Sequence, residues 1–171
     1  MKEITKTISN IIVFGLSAIL AVWLSPFILI GAFIYLGYII YRAILRKRIL
    51  EQIKKEWLSN GKYAFFLYSS SKKWKDYFEQ EFIPKIQSKA IVWNWSTRYH
   101  RGWNNNLLEA KVLKAFRPFN RSYPVAIVFS PSNKVKIFEF YTPYIKMLKS
   151  RNQNQDYKNL EKDFLDLLEN N

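Results

Sequence analysis

The chain has 171 residues, a formal net charge of +14 and no cysteine. Without cysteine, disulfides, thiol catalysis and thiolate metal sites are excluded, and the single histidine, His100, cannot form a histidine cluster for zinc. No GxxxxGK[ST] or GxGxxG run is present, which excludes the common phosphate-binding loops. We therefore expect no metal, no cofactor and no thiol oxidoreductase activity.

The N-terminal part of the chain has the composition of a membrane anchor. No charged residue occurs from Thr7 to Tyr41, a stretch of 35 residues, whereas about 20 apolar residues are enough for a helical span. A secretory signal has a much shorter apolar region, of roughly 7–15 residues. Residues 1–45 are therefore predicted to form a retained membrane anchor.

Two arrangements of this anchor fit the sequence. Ser25-Pro26 lies in the middle of the apolar stretch, and serine is a common helix N-cap while proline favours the first helical position. The pair predicts a hairpin of two short transmembrane helices, which is the arrangement we prefer. The alternative is one transmembrane helix, kinked at the proline and tilted in the bilayer.

A basic cluster follows the anchor and predicts its orientation. Its members are Arg42, Arg46, Lys47, Arg48, Lys54 and Lys55, against only two acidic residues up to position 56. Basic residues beside a span stay in the cytoplasm and attract anionic lipid headgroups. We expect a plasma or inner membrane protein whose soluble domain faces the cytoplasm and whose partners include the lipid bilayer.

Residues 46–61 are predicted to be a basic amphipathic juxtamembrane helix. Leu45, Ile49, Ile53 and Trp57 recur every four residues, and Asn60-Gly61 is typical of a helix end. This apolar stripe fits either a strip lying on anionic lipid or a stalk that packs on the soluble domain. We adopt the second interpretation.

Residues 62–171 are predicted to be one α/β domain. Apolar runs predict strands over Lys62–Tyr68, Ala90–Trp95, Tyr123–Phe129 and Lys134–Phe140. Helical spacing predicts helices over Lys72–Ile86, Leu107–Phe116 and Tyr157–Leu168, with a polar spacer at Ser150–Gln155. Acidic residues alternate with the apolar stripe of the last helix and are assigned to its solvent-exposed face: Asp156, Glu161, Asp163, Asp166 and Glu169.

The resulting order, β-α-β-α-β-β-α, resembles the thioredoxin-like fold. In that family a proline with a cis peptide bond opens the strand that faces the active-site motif, and Tyr123-Pro124 followed by an apolar strand, a turn and a strand is similar to it. The resemblance covers about Lys62 to Asn171. It implies an N-terminal transmembrane helix or helical hairpin followed by a cysteine-free thioredoxin-like domain.

The family's Cys-x-x-Cys position is occupied here by Ser69, Ser70, Ser71, Lys72 and Lys73. Disulfide exchange is therefore impossible. Opposite Pro124, this segment could hold an anionic or thiol ligand at a helix N-terminus, as the resemblance to serine-type glutathione transferases implies. A helix cap and turn without a ligand is the simpler interpretation of the same residues.

The loop after the second strand combines aromatic and basic residues. Arg98, Tyr99, Arg101 and Trp103 form a candidate interaction surface, because tyrosine, tryptophan and arginine are frequent in protein–protein hot spots. The same composition occurs in single-stranded nucleic-acid binders. From Trp57 onward the chain has 19 basic and 10 acidic residues, but no RNA-binding signature is present, so we do not expect nucleic acid to be the partner.

Three functional hypotheses follow from the sequence. The first is a membrane-anchored, redox-inactive thioredoxin-like binding module, an adaptor or accessory subunit of a membrane assembly with another protein as partner. The second is a small serine-type enzyme of this fold, or a carrier of an anionic or thiol ligand. The third is a membrane-tethered nucleic-acid binder.

Overall fold

The computed structural model describes residues 2–97, 104, 106–116, 123–149 and 154–171. Contacts between residues divide the chain into two compact units, Met1–Ile44 and Leu45–Asn171. The described part is a mixed α/β structure with a long N-terminal helix and one four-stranded sheet.

The N-terminal helix, α1, runs from Lys2 to Glu56 without interruption. The backbone is helical through Ser25-Pro26, so of the two arrangements considered above it has the single helix and not the preferred hairpin. A proline removes one backbone donor and hinders the preceding turn, but the helix continues on both sides of it.

The described first unit is apolar and exposed. Leu29, Phe33, Ile34 and Tyr35 are each at least 60% exposed. Within Leu29–Asn60, an 18-residue window of mean hydropathy 1.5 has no residue buried, and this is the one stretch among the described residues that is long and apolar enough to cross a membrane. Near the end of this unit, Arg42 donates a hydrogen bond of 3.3 Å to the hydroxyl of Tyr38.

The second unit contains a four-stranded sheet in the order β2-β1-β3-β4. Its strands are β1 (Ala64–Tyr68), β2 (Ala90–Asn94), β3 (Val125–Phe129) and β4 (Val135–Glu139). β1 pairs with β2 in parallel and with β3 antiparallel, and β3 pairs antiparallel with β4. β1 and β3 are central and buried throughout, as expected of apolar runs covered on both faces.

Helices connect and cover the strands. Between β1 and β2 the chain forms α2 (Lys75–Tyr77), a π-helical segment (Phe78–Phe82) and α3 (Ile83–Ile86). The remaining helices are α4 (Leu108–Phe116), α5 (Tyr141–Lys149) and α6 (Asn154–Glu169). Short 3-10 turns occur at Leu58–Asn60 and Trp95–Thr97.

Two hydrophobic clusters cover the two faces of the sheet. One is aromatic and joins β1 and β4 to the π-helical segment and α6, through contacts such as those of Phe82 and Phe140 with Phe164. The other joins Phe65 and Leu67 of β1 to α4 and to the last turns of α1. Opposite faces of one central strand therefore supply both cores, because neighbouring side chains of a strand point to opposite sides.

The end of α1 is part of this fold. Ile49, Ile53 and Trp57 are at most 4% exposed, and the Trp57 ring lies 5.7 Å from that of Phe65. Gly61 closes the following turn with φ of 70°, a conformation that glycine adopts at no steric cost. The four-residue stripe seen in the sequence therefore packs on the domain, as the stalk interpretation expected.

Two predictions about the helices of the second unit need correction. The helix expected over Lys72–Ile86 begins at Lys75 and contains the π-helical segment. The chain after β4 was expected to reach the last helix through a spacer, but α5 occupies Tyr141–Lys149. Proline in the first turn of a helix is favourable, and Pro143 lies there. The remaining strands and helices lie where they were predicted, within about two or three residues.

Candidate functional site

The serine segment forms a polar junction between the ends of two parallel strands. The side-chain amide of Asn94 donates to the Ser70 hydroxyl oxygen at 2.8 Å, and the Ser70 backbone N–H donates to the Ser96 hydroxyl oxygen at 3.0 Å. The Asn94 side-chain oxygen in turn accepts from the Ser96 backbone N–H at 3.0 Å. Asn94 is only 7% exposed, so these bonds satisfy a buried polar side chain.

The segment does not present a free helix N-terminus among the described residues. The N-cap of α2 is Trp74, which makes no side-chain capping hydrogen bond, and its indole N–H donates to the Ser69 carbonyl at 3.0 Å. The Ser71 hydroxyl accepts from the Lys73 backbone N–H at 3.5 Å. Lys72 and Lys73 are exposed. A three-residue α2 supplies few aligned backbone dipoles for an anion.

Pro124 lies at the same end of the sheet as the serine segment. The Tyr123-Pro124 peptide bond is cis, and Pro124 accepts a hydrogen bond of 3.1 Å from the Phe140 backbone N–H. Val125 pairs with Leu67, so the antiparallel register places Pro124 beside Tyr68, the residue before Ser69. The topology therefore places the serine segment and Pro124, which were predicted to form one ligand site, at the same end of the sheet.

Most of the basic cluster of α1 is exposed, and Arg46 also contacts another helix. Lys47, Arg48, Lys54 and Lys55 are exposed, and none of them forms an ion pair with a residue that the structure describes. Arg46, although also exposed, makes a tertiary contact, because its Nε donates to the Ala115 carbonyl at the end of α4 at 3.1 Å. Its guanidinium carbon also lies 5.9 Å from the Phe116 ring centre.

The candidate interaction surface at Arg98, Tyr99, Arg101 and Trp103 lies outside the described residues. The tryptophans before it are partly buried, and Trp95 stacks on Tyr123 with ring centres 5.7 Å apart. Trp93 and Trp95 pack against the cluster that also contains the end of α1. These two side chains therefore contribute to the core.

A cleft that the sequence did not indicate lies beside α6. Its volume is about 560 Å³, within the range of small-molecule sites. Its walls come from the segment between β1 and β2, from α5 and from α6, and they include Tyr77, Glu81, Lys85, Met147, Tyr157 and Glu161. The π-helical segment borders the cleft, and such segments are frequent at functional sites.

Glu161 links two elements across this cleft. Its carboxylate accepts a hydrogen bond of 2.6 Å from the Tyr77 hydroxyl and lies 3.1 Å from the Lys85 ammonium. The Glu161 side chain is only 13% exposed, which corrects its assignment to the solvent-exposed face of α6. Asp156, Asp163, Asp166 and Glu169 are exposed as expected.

Tyr157 contributes a buried hydroxyl to the same cluster. Its oxygen has no hydrogen bond of normal geometry to any described residue, although the residue is only 2% exposed. Tyr77 and Tyr144 pack on it with ring centres 5.8 Å and 5.3 Å away. Within the part of the chain that the structure describes, no group of three histidine or acidic side chains could hold a metal ion.

Burial raises the pKa values of all three phenols above their ordinary value. For Tyr77 the bond to Glu161 adds to the effect of burial and the Tyr157 hydroxyl opposes it. For Tyr157 the neighbouring Tyr77 hydroxyl raises the pKa further, and for Tyr144 the charge of Glu81 does so. The three phenols therefore remain protonated hydrogen-bond donors at neutral pH.

No family model, curated protein or solved structure matches this chain.

Proposed function

We propose that the protein is a membrane-anchored, redox-inactive thioredoxin-like binding module that serves as an adaptor or accessory subunit of a membrane assembly. The proposal rests on the change from exposed to buried apolar residues along α1. Its apolar residues from Leu29 to Ile40 are exposed, and the same helix continues into the buried residues Ile49, Ile53 and Trp57. Exposed apolar surface of this extent requires lipid or protein to cover it.

The thioredoxin-like part of the proposal is supported by topology. β1 and β2 are parallel and joined by a helical segment, and β3 and β4 form the antiparallel hairpin that the β-α-β-α-β-β-α order includes. The cis peptide bond before Pro124 lies at the start of β3, where the resemblance implies it. α5 is an addition to that pattern.

Binding without redox chemistry is supported by what occupies the family's active-site position. The chain has no cysteine, and Ser70 uses its backbone N–H and its hydroxyl oxygen to join the ends of β1 and β2. These contacts give the serine segment a structural role. With no thiol at this position, the domain can act by binding but not by disulfide exchange.

Orientation follows from the basic cluster of α1. Four exposed cations without ion pairs to described residues, Lys47, Arg48, Lys54 and Lys55, follow directly on the apolar segment, and such residues remain on the cytoplasmic side. With α1 as a single span, the N-terminus lies outside the cytoplasm and the domain inside. The two termini are thus on opposite sides of the plasma or inner membrane.

Thiol labelling tests this proposal without interference, because the natural chain has no cysteine. Lys2→Cys and Asn170→Cys are introduced singly, and intact cells are treated with a membrane-impermeant maleimide. We expect Lys2→Cys to react in intact cells and Asn170→Cys to react only after the cells are opened. Alkaline carbonate should leave both variants in the membrane pellet.

Each other result refutes a definite part of the proposal. Release by carbonate would show that α1 does not span the bilayer. Labelling of Asn170→Cys in intact cells would place the domain outside the cytoplasm. Protection of both cysteines in a protein that carbonate does not release would indicate that the anchor forms a hairpin in the membrane.

A further inference from the structure

Arg46 is an exposed arginine whose position is fixed by the fold. One of its five N–H groups, on Nε, donates to the Ala115 carbonyl at 3.1 Å, and Phe116 lies beneath the guanidinium. The other four N–H groups have no hydrogen-bond partner among the described residues. An arginine held in this way presents a planar set of donors that has already lost its conformational freedom.

Two further cations are close to this contact in sequence. Lys47 follows Arg46 in α1, and Lys114 precedes Ala115 in α4; both side chains are exposed. The acidic residue of α4, Glu109, is in its first turn, at the other end of that helix. In α1, exposed Glu51 lies one turn after Lys47. The contact between α1 and the C-terminus of α4 therefore has three cations near it in sequence against one carboxylate.

The position of Arg46 along α1 indicates which anion it can bind. Arg46 lies five residues after Tyr41, the last residue of the uncharged stretch, which is about 7.5 Å at the helical rise of 1.5 Å. Each headgroup layer of a bilayer is roughly 5–8 Å thick. With the apolar segment in the hydrocarbon core, Arg46 is at the level of the lipid phosphates.

The geometry points to an anionic phospholipid site at Arg46, Lys47 and Lys114, in which the Arg46 guanidinium binds the headgroup phosphate through two N–H groups. The two lysines add charge that favours an anionic over a zwitterionic headgroup. This inference rests on the proposed membrane anchoring and assigns to α4 a part in lipid recognition.

Lipid retention by the full-length chain tests the site. The protein, purified in a neutral detergent, is mixed with phosphatidylglycerol and phosphatidylcholine of equal chain length, and native mass spectrometry counts the bound lipids. We expect the wild type to prefer phosphatidylglycerol. Arg46→Lys keeps the charge but loses the paired donors, and should lower that preference about tenfold, equivalent to ~1.4 kcal/mol.

A double variant and a matched control separate the site from overall charge and from folding. Lys47→Ala with Lys114→Ala leaves the Arg46–Ala115 hydrogen bond in place and should lower the preference by a similar factor. Lys134→Ala with Lys146→Ala removes the same charge at two exposed positions elsewhere and should leave it unchanged. Thermal unfolding confirms that each variant is folded.

The outcomes are distinguishable. Equal retention of phosphatidylglycerol by the wild type, the double variant and Arg46→Lys would overturn the site, as would its displacement by an equal concentration of inorganic phosphate, which would indicate a free-anion site. If the protein resists carbonate extraction but shows no lipid preference, the lipid site is wrong and the membrane anchoring stands. A protein that is released by carbonate contradicts the anchoring on which it rests.

Discussion

The Tyr77 hydroxyl donates a hydrogen bond of 2.6 Å to the carboxylate of Glu161, although 84 residues separate the two in sequence. The bond joins the segment between β1 and β2 to the C-terminal helix α6. Glu161 also pairs with Lys85 at 3.1 Å. A largely buried carboxylate with a phenol and an ammonium as partners is a stronger interaction than an exposed ion pair, because water screens it less.

Replacing Tyr77 by phenylalanine should therefore destabilise the domain. Hydrogen bonds to charged groups contribute about 1.5–3 kcal/mol, and since Tyr77 is partly exposed we expect a loss near the lower limit, measured by urea unfolding of the full chain in detergent. Lys75→Ala is the control: it removes an exposed i,i+4 pair with Glu79 at 3.9 Å and should cost under about 0.5 kcal/mol. Equal losses in the two variants would contradict this ranking.

Replacing Tyr157 by phenylalanine should instead stabilise the domain. This substitution removes a buried hydroxyl that has no hydrogen bond of normal geometry to a described residue and keeps the ring that packs on Tyr77 and Tyr144. An unsatisfied buried polar group costs about 1–3 kcal/mol, so the free energy of unfolding should rise by ~1 kcal/mol in the same urea experiment. A decrease of that size would show that the hydroxyl has a partner, either the neighbouring Tyr77 hydroxyl or an ordered water molecule.

The same tyrosines predict a loss of stability in alkali. The pKa values of Tyr77, Tyr144 and Tyr157 are raised from the ordinary 10.0 in the folded protein, so the folded state holds these protons more tightly than the unfolded state. Their contribution to stability is complete below pH 10 and decreases as the pH rises above it. Tyrosinate absorbance should show these phenols titrating at higher pH than free tyrosine.

Tyr157→Phe should lessen this alkaline sensitivity, because it removes one of the phenols that the folded state keeps protonated. The comparison is the decline in melting temperature between pH 9 and 11 for the wild type and the variant. Identical declines in the two proteins would show that the Tyr157 phenol does not govern alkaline unfolding.

Local patterns were sufficient to predict the strands and most of the helices. β1 and β3 are apolar runs of five buried residues, and the stripe of Ile49, Ile53 and Trp57 packs on the domain as its spacing indicated. The helix α5 was missed because it follows β4 directly at Phe140, with no turn residue between them. Its spacing of Tyr141, Tyr144 and Ile145, with Pro143 in the first turn, was the available signal.

The contacts of the tyrosine cluster could not be predicted in the same way. Glu161 follows the polar pattern of α6, and only packing against the segment between β1 and β2 brings Tyr77 and Lys85 to it. The partner of Arg46 is likewise 69 residues away, at the end of α4. Such pairs depend on tertiary packing, which periodicity along one element does not encode.

The last turns of α1 should prove essential to the stability of the domain. Ile53 is fully buried against the cluster shared by β1, β3 and α4, so Ile53→Ala removes apolar surface and leaves a cavity, at a cost of about 2–5 kcal/mol. Lys54→Ala, at the adjacent exposed position, should change the free energy of unfolding by less than about 0.5 kcal/mol. Urea unfolding of both full-length variants measures the difference, and a chain that tolerates Ile53→Ala as well as Lys54→Ala would show that the domain does not depend on α1.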